Sequence, residues 1–383
     1  MLESRHLQHL PRSIIPLRKD HWIRSKPFIF TRLASTSRKQ HRLPASYYRG
    51  GTSRAVIFRQ QDLPTGRRDW DSIFCGVIGS PDPNRRQLDG LGGGISSLSK
   101  VCVVGPSTHP EADVDYTFAA IGVKDNDVDY SSNCGNMTSA IGPFAVDTGL
   151  VDAPDGKMTV RIHNTNTGKI IHAAFLVEGG EAVAHGDFSI DGVAGTGGRI
   201  ELAFVDPAGS VTGRLLPTGN ITDTVDGVTV TCLDAGNPAV FVQASDVEVD
   251  GSILPDAVDA HPTLLAKLDL IRRKAAVKMG ISQDEASTPG SIPKIAMVSR
   301  SKSHKLLSGD TIDGSAIDIV IRALSVGQPH RAVPITVALA TAAAANIKGS
   351  VVHANVSEQL VDPDGITLGH SSGKIMSFER QEG

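Results

Sequence analysis

The chain repeats itself once, and this internal repeat constrains its fold more than any other feature of the sequence. A glycine-rich loop that runs into a β-branched strand occurs at residues 49–63 and again at 234–247. Further along each half a lysine begins an apolar strand, Lys100 in the first half and Lys294 in the second. Six elements recur in the same order, so we expect two homologous domains that each combine strands and helices.

Each half also contains a loop of small residues that leads into a nearly all-apolar segment, at 132–145 and at 327–340. A helix that is apolar on every side must be enclosed on every side. The sequence therefore predicts an α+β fold of two pseudo-symmetric domains, each a curved β-sheet wrapped around a central α-helix. We place the boundary near Asp226, which gives domains of 44–226 and 227–383, and we expect the ligand site in the cleft between them.

The first 42 residues differ from the rest in charge. They hold ten Lys and Arg residues against two acidic residues, a net charge of about +8, while the whole chain carries −3. The remaining residues therefore carry −11. Positively charged, acid-poor leaders are typical of mitochondrial transit peptides, so we expect residues 1–43 to be a targeting leader of a mitochondrial protein. A disordered extension of a cytoplasmic protein and a misjudged start codon are the alternatives.

Several classes of protein are disfavoured by what the sequence lacks. No stretch approaches the roughly 18–20 consecutive apolar residues of a membrane span, and no basic cluster recurs after the leader. The four cysteines have neither a CxxC pair nor the spacing of a zinc site. No glycine-rich loop matches a nucleotide-binding pattern. We therefore expect no membrane or nucleic-acid partner, no metal and no organic cofactor.

The strongest candidate for a reactive group is Cys134, which lies in Asn133-Cys-Gly-Asn where a loop becomes a buried helix. The free N–H groups of a helix's first turn and the helix dipole favour an anion there. The same field favours the thiolate of Cys134, which could then donate or accept a proton. A buried structural cysteine is the alternative, and it is the interpretation that we prefer for Cys75, Cys102 and Cys232.

Lys100 is the candidate base. It follows a glycine run at 92–94 and precedes an apolar strand, and desolvation at such a position favours the neutral, basic form of a lysine. The alternative is a lysine whose stem is buried at a strand end while its ammonium group reaches water. The repeat partner Lys294 follows Pro293 and lacks a glycine run, so we interpret Lys294 as structural.

The second half offers a cation in the loop that we take as the counterpart of the Cys134 loop. His330 and Arg331 lie there, and an arginine can bind a carboxylate in a bidentate manner. An arginine that braces the domain interface is the alternative. The glycine-rich loops of both halves add backbone N–H groups and small hydroxyls, which a ligand with two or three carboxylates requires.

Longer motifs carry a family resemblance. They are Tyr48-Arg-Gly-Gly-Thr-Ser, Gly79-Ser-Pro-Asp, Gln87-Leu-Asp-Gly-Leu-Gly-Gly, Ser97-Leu-Ser-Lys-Val, Asn133-Cys-Gly-Asn-Met, Gly142-Pro-Phe-Ala, Ser325-Val-Gly-Gln-Pro-His-Arg-Ala and Gly369-His-Ser-Ser-Gly. Together they resemble the PrpF family, which includes 2-methylaconitate cis-trans isomerases, 3-methylitaconate and aconitate Δ-isomerases and 4-oxalomesaconate tautomerases. The resemblance runs from about Pro44 to Lys374.

The resemblance implies a diaminopimelate-epimerase-like fold and proton transfer without a metal or an organic cofactor. It places the family's catalytic lysine on Lys100 and its catalytic-site cysteine on Cys134. The hydroxyls of the family's Gly-Gly-Thr-Ser loop fall on Thr52 and Ser53.

Two features depart from the family pattern. Arg54 replaces the usual lysine after the Gly-Gly-Thr-Ser loop, which keeps the charge and changes its reach. The chain stops at Gly383, before the further strands and the arginine-rich segment that the family leads us to expect, so a truncated C-terminus is one expectation. Both departures leave open a catalytically inactive homologue that serves as a binding or structural protein.

The residues favour an isomerase over a racemase. Epimerases of this fold use two facing thiols, whereas the second loop here offers Gln328-Pro-His-Arg. We therefore expect an allylic proton shift in a small unsaturated di- or tricarboxylate. Neutral Lys100 would remove a proton next to a carboxylate, N–H groups would hold the dienolate, and Cys134 or Lys100 would protonate the distal carbon. An amino-acid epimerase on the same fold is the alternative.

Further residues complete the expected site by binding the substrate. They are Thr52, Ser53, Ser99, Asn133, Gly135, Asn136, His330, Arg331 and Ser371. The expected partner is a small polycarboxylate, and a homodimer is a further expectation. The choice of polycarboxylate depends on the shape of the pocket.

Overall fold

The structure is a computed structural model, and it describes residues 42–378. The first sheet contains β1 (Ser46–Gly50), β2 (Ser53–Arg59), β3 (Lys100–Pro106), β4 (Val114–Ile121), β5 (Val128–Asp129), β6 (Gly156–Asn164), β7 (Lys169–Glu178), β8 (Glu181–Ala182) and β9 (Glu201–Phe204). The next strands are β10 (Asp223–Val225), β11 (Val228–Ala235), β12 (Asn237–Gln243), β13 (Lys294–Arg300), β14 (His304–Lys305), β15 (Thr311–Ile312), β16 (Ile319–Ser325), β17 (Gln328–Pro329), β18 (Ile366–His370) and β19 (Gly373–Ser377). All of these form the second sheet except β14 and β15, which pair with each other. The α-helices are α1 (Trp70–Ile78), α2 (Gly135–Asp147), α3 (Pro255–Ala260), α4 (Leu264–Lys278) and α5 (Ile335–Ala345).

The two sheets share one pattern of strand pairing. In the first sheet, β2 and β3 run parallel, β3 and β4 antiparallel, β4 and β6 parallel, and β6 and β7 antiparallel. In the second sheet, the pairs β12–β13, β13–β16, β16–β18 and β18–β19 alternate in the same way. The repeat in the sequence is therefore a repeat in the structure, and the predicted α+β fold of two similar sheets is confirmed.

Each sheet is covered on both faces, which explains its apolar strands. In β2, Ala55 and Ile57 belong to the core around α2, while Val56 and Phe58 belong to the core beneath α1. Strand β12 alternates in the same way between α5 and α4. Because successive side chains of a strand point to opposite faces, a strand that is covered on both sides is apolar at nearly every position.

The central helices are enclosed as the sequence predicts. Helix α2 is buried at eleven of its thirteen positions. A Cβ added to Gly142 would lie 2.6 Å from Cε1 of Phe175 on β7, so a glycine is needed where the helix meets the sheet. Small side chains serve the same purpose in α5, which is mostly alanine.

The described residues pass from the first sheet to the second between Phe204 and Asp223. The domain limits 44–226 and 227–383 stay a prediction. The leader assigned to 1–43 lies outside the described residues except for its last two, and the end of the chain after residue 378 also lies outside them. Within the described part, none of the helices has both the length and the apolar character needed to cross a membrane.

Candidate active site

The two central helices begin at the same place. Helix α2 begins at Gly135 and α5 at Ile335, and a Cβ added to Gly135 would lie 3.0 Å from Cβ of Ile335 and 3.1 Å from Cγ2 of Thr336. The side-chain oxygen of Asn136 accepts a hydrogen bond from the backbone N–H of Ile335 at 3.1 Å. We call these four residues the helix junction. Because the positive ends of two helix dipoles meet here, the junction favours an anion.

Asn136 also attaches the Gly-Gly-Thr-Ser loop to this junction. Its Nδ2 donates to Oγ1 of Thr52 at 2.8 Å and to Oγ of Ser53 at 3.3 Å. A Cβ at Gly50 would collide with the backbone oxygen of Asn136, so the loop reaches α2 only because residue 50 is glycine. Each hydroxyl accepts from the amide and keeps its own hydrogen to donate. The predicted residues Thr52, Ser53 and Asn136 are thus brought together.

Asn237, which the sequence prediction missed, performs the matching task for the second half. Its Oδ1 accepts from the backbone N–H of Asn133 at 3.0 Å, and its Nδ2 donates to the backbone oxygen of Asn133 at 2.6 Å. The same Nδ2 donates to Oγ1 of Thr336 at 3.1 Å. The amide therefore fixes the segment before Cys134 against the second half. Asn237 follows Gly236 in the segment that repeats the Gly-Gly-Thr-Ser loop, and this position could have marked it as a candidate site residue.

Cys134 is the N-cap residue of α2 and its side chain is partly exposed. The other three cysteines are buried. Burial raises the pKa of Cys102, and it raises the pKa of Cys232 to about 12. Helix α5 has Pro334 at the N-cap position, so the true counterpart of Cys134 is Pro334. His330 and Arg331, which the sequence prediction aligned with the Cys134 loop, lie further from the start of α5.

Two buried lysines lie near Cys134. Lys100 begins β3 with 8% of its surface exposed, and its Nζ lies 4.9 Å from the ring centre of Phe118. Lys294 begins β13 with 7% exposed. Burial, together with the charge of Lys100, lowers the pKa of Lys294 to about 8, while Cys134 and Asp129 act in the opposite direction. The two lysines begin equivalent strands of the two halves, and the structure brings these strand starts to one site. The interpretation of Lys294 as structural did not take this proximity into account.

His330 belongs to the same group. Its Nε2 is buried and has no hydrogen-bond partner among the described residues. Burial, followed by the charges of Lys100 and Lys294, lowers the pKa of His330 to about 3. The imidazole is therefore neutral at neutral pH, with one nitrogen left for a ligand.

The glycine run before Lys100 is shaped by Gln87, a second residue that the sequence prediction missed. The side-chain oxygen of Gln87 accepts from the backbone N–H of Gly94 and from Oγ of Ser99, both at 2.8 Å. A Cβ at Gly92 would collide with that oxygen. Ser99 is thus buried and bonded within the loop that positions Lys100, although it is predicted as a substrate ligand.

Two other predicted residues lie apart from these contacts. The guanidinium of Arg331 is largely exposed and donates to Oδ1 of Asp256 at 3.2 Å. Asp256 lies in the same half of the chain, so this contact does not support the alternative in which Arg331 braces the domain interface. The hydroxyl of Ser371 is buried and has no partner in the described part of the chain. Arg54 is exposed, with its guanidinium 5.7 Å from the ring centre of Tyr47, so the departure from the family lysine falls on an exposed residue of β2.

Residues 42–378 contain no group of three or more His, Cys, Asp or Glu side chains placed to hold a metal ion. The site instead offers backbone N–H groups, hydroxyls, amides, a thiol and amines. Such a set can bind carboxylates and move protons.

Comparison with known proteins identifies the family. The model of the PrpF protein family matches residues 40–383. The chain is 40% identical over 344 residues to a 3-methylitaconate isomerase of Eubacterium barkeri, covering 88% of this chain and 90% of that protein. It is 38% identical to a 2-methyl-aconitate isomerase of Shewanella oneidensis, covering 88% and 89%. It is 36% identical to a 4-oxalomesaconate tautomerase of Pseudomonas putida, covering 88% of each.

A solved structure agrees with these relatives. The crystal structure of a methylitaconate-delta-isomerase matches with a TM-score of 0.72 and 38% identity, over 89% of each chain. On these grounds the chain belongs to the PrpF family.

Proposed function

We propose that the chain is an isomerase of small unsaturated di- and tricarboxylates, and that it moves their C=C bond or changes its geometry by allylic proton transfer. The observation that carries this proposal is the helix junction, which joins two positive helix ends close to Cys134 and two buried lysines. Such a site attracts carboxylates and stabilises negative charge that develops during a reaction. The isomerase and tautomerase names of the relatives support the same substrate class.

In the proposed reaction, unprotonated Lys100 removes a proton from a carbon next to a carboxylate. The electron pair of the broken C–H bond spreads over the neighbouring C=C bond and the carboxylate, which gives a dienolate. N–H groups at the helix junction stabilise its negative charge. Protonation of the distal carbon by Cys134, or by the Lys100 ammonium group, moves the double bond. When Cys134 is the donor, exchange with solvent restores its proton and removes the extra one from Lys100.

A change of cis-trans geometry follows from the same intermediate. Delocalisation weakens the original double bond, so that rotation can precede the return of the proton to the original carbon. No step in this scheme uses a metal or an organic cofactor, and full activity after exhaustive dialysis against EDTA is the expected result. A loss of activity that only a metal ion restores would contradict the scheme.

An amino-acid epimerase is the competing function. A two-thiol epimerase needs a cysteine in each half, and the position that matches Cys134 is occupied by Pro334. The geometry therefore favours an asymmetric pair of proton-transferring groups.

A substrate panel tests the proposal. The full chain would be incubated in D2O with trans-aconitate, 2-methylaconitate, methylitaconate and oxalomesaconate, and with L-proline and 4-hydroxyproline as epimerase substrates. We expect proton NMR to show conversion and deuterium uptake for at least one polycarboxylate and none for the amino acids. Exchange at the α-carbon of an amino acid would favour the epimerase, and inertness toward every compound would favour a binding protein.

A further inference from the structure

Lys100 and Lys294 are both buried, and neither forms a salt bridge with a carboxylate of the described residues. Among the described residues, the Lys294 ammonium nitrogen donates only to the backbone oxygen of Ser291, at 3.2 Å. A buried cation without a counterion is costly. Such a group is expected where a ligand supplies the missing negative charge.

One acidic group that acts electrostatically on Lys294 is already engaged elsewhere. Asp129 influences Lys294 electrostatically, but its Oδ2 accepts from the backbone N–H of Ser291 at 2.9 Å and its Oδ1 accepts from the backbone N–H of Ser131 at 2.8 Å. The carboxylate therefore holds two backbone segments together and does not pair with the ammonium group.

A second, independent feature points to a ligand at the same place. Nε2 of His330 is buried and has no hydrogen-bond partner within residues 42–378, and the imidazole lies within the electrostatic reach of both lysines. A buried nitrogen that lacks a hydrogen bond is uncommon in folded proteins. An anion beside Lys294 would supply its ammonium group with the missing counterion and would give Nε2 of His330 a hydrogen-bond partner.

We propose that Lys294 binds a second carboxylate of the substrate and so restricts the enzyme to substrates with at least two carboxylates. This inference rests on the proposed function, because Lys100 must be unprotonated to act as the base and then cannot supply permanent positive charge. Lys294, the equivalent residue of the other half, supplies that charge. One carboxylate next to the reacting carbon lies at the helix junction, and the other pairs with Lys294.

The test uses methylsuccinate, a saturated dicarboxylate that cannot be isomerised, and its monomethyl ester. Isothermal titration calorimetry would measure both ligands on the full chain, on Lys294→Met and on Lys294→Arg. An ion pair of this kind corresponds to about a 10- to 100-fold change in affinity. We expect Lys294→Met to lose that factor for the dicarboxylate and to bind the ester as the wild type does, while Lys294→Arg keeps most of the affinity.

Lys305→Met is the matched control, because Lys305 is an exposed lysine of the same half and its loss removes the same charge. It should bind both ligands as the wild type does. Circular dichroism would check that each variant is folded. If Lys294→Met does not fold, proton uptake on binding to the wild type at pH 8.5 replaces it, and uptake should be larger for the dicarboxylate than for the ester.

The outcomes separate this inference from the proposed function. Equal loss of affinity for both ligands in Lys294→Met, or a wild type that does not prefer the dicarboxylate, overturns the inference. Unchanged dicarboxylate binding in Lys294→Met by a protein that isomerises polycarboxylates overturns the inference alone. Binding through Lys294 by a protein that isomerises none of them supports the carboxylate site and overturns the proposed function.

Discussion

Gly135 in the first turn of α2 lies directly against Ile335 in the first turn of α5, and a Cβ added to Gly135 would lie only 3.0 Å from Cβ of Ile335, which is tighter than an ordinary van der Waals contact. The contact joins the two halves of the repeat at the start of both central helices. The N–H groups of the two helix starts can act on one ligand because this contact is so close. The position is thus as important to the proposed chemistry as the reactive side chains.

Gly135→Val should destabilise the protein by about 1–3 kcal/mol, because the larger side chain must displace α5 or the neighbouring loop. Isomerase activity should fall too, since the helix starts would separate. Urea denaturation and kcat/KM measure the two effects. Gly76→Val is the control, because residue 76 lies in α1 and a Cβ there meets nothing within 4 Å. The control should change stability by no more than about 0.5 kcal/mol. Equal destabilisation of both variants would show that the close contact of Gly135 with α5 does not cause the loss of stability.

The fold could be predicted because its signals are local and occur twice. Alternation in β2 and β12 and the all-apolar α2 and α5 each indicate an element that is covered on both sides. Lys100 and Cys134 could be selected because a glycine run and a helix start mark them. The family identity followed from long ordered motifs, and the comparisons confirm it.

Other parts of the site depend on contacts between distant residues. Asn237 binds the backbone of Asn133 across 104 positions. Its place in the repeat of the Gly-Gly-Thr-Ser loop marks the residue but does not identify Asn133 as its partner. The placement of Lys294 near Lys100 was not predicted, because its local sequence lacks glycines and the placement follows from the symmetry of the two halves. The alignment of Cys134 with the loop at 328–331 was wrong in register. The equivalent elements are the short strands β5 and β17, which end at Asp129 and Pro329, and the helices that follow begin at Gly135 and Ile335.

Lys294→Met should stabilise the folded protein although it weakens ligand binding. At pH 7 the wild type carries a buried ammonium group that pairs with no carboxylate of the described part of the chain. Its replacement by an apolar side chain of similar length should raise the free energy of unfolding by about 1–3 kcal/mol. Urea denaturation of the ligand-free proteins measures the difference. Lys305→Met, on the surface, should leave stability nearly unchanged. A Lys294→Met variant less stable than the wild type would show that the ammonium group supports the fold.

The pH dependence of stability checks the same residue. Burial and Lys100 lower the pKa of Lys294 from its ordinary value of 10.5 to about 8, so the unfolded state binds more protons than the folded state between these values. As the pH rises through this window, this group should therefore increase the free energy of unfolding of the wild type by up to about 1.4 kcal/mol per pH unit. Below pH 8 the lysine is protonated in both states, so it should add no pH dependence there. Lys294→Met should lack that rise, although it keeps the neighbouring titratable groups of Cys134, Asp129 and His330. Identical pH profiles for the two proteins would contradict the lowered pKa.

Iodoacetamide should inactivate the enzyme by modifying Cys134, because this thiol is partly exposed while the other three are buried. A polycarboxylate such as trans-aconitate should protect it, and Cys134→Ala should take up no label under the same conditions. Peptide mass spectrometry locates the label. Inactivation that accompanies labelling of Cys75, Cys102 or Cys232 would remove Cys134 from the proposed site.

Residues 1–42 should be dispensable for catalysis, because the first repeat begins only near residue 44 and the excess positive charge is confined to the leader. The protein without them should fold and isomerise substrate at a comparable rate. The leader fused to a fluorescent reporter should carry it to mitochondria, as positive, acid-poor leaders do. A cytosolic reporter would refute the targeting, and failure of the shortened protein to fold would refute the independence of the two domains from the leader.

The central claim is that Lys100 is the base, and deuterium exchange into a substrate identified by the panel tests it most directly. Lys100→Ala and Lys100→Arg would be compared with the wild type in D2O, with methylsuccinate affinity as the check on an intact site. Arginine keeps the positive charge but stays protonated, so it cannot remove a proton. We predict that both variants bind methylsuccinate and that both lose exchange at the allylic carbon by about 100-fold or more. Exchange at a rate near that of the wild type in Lys100→Arg would show that the site needs only a positive charge at this position, and would contradict the assignment of Lys100 as the base.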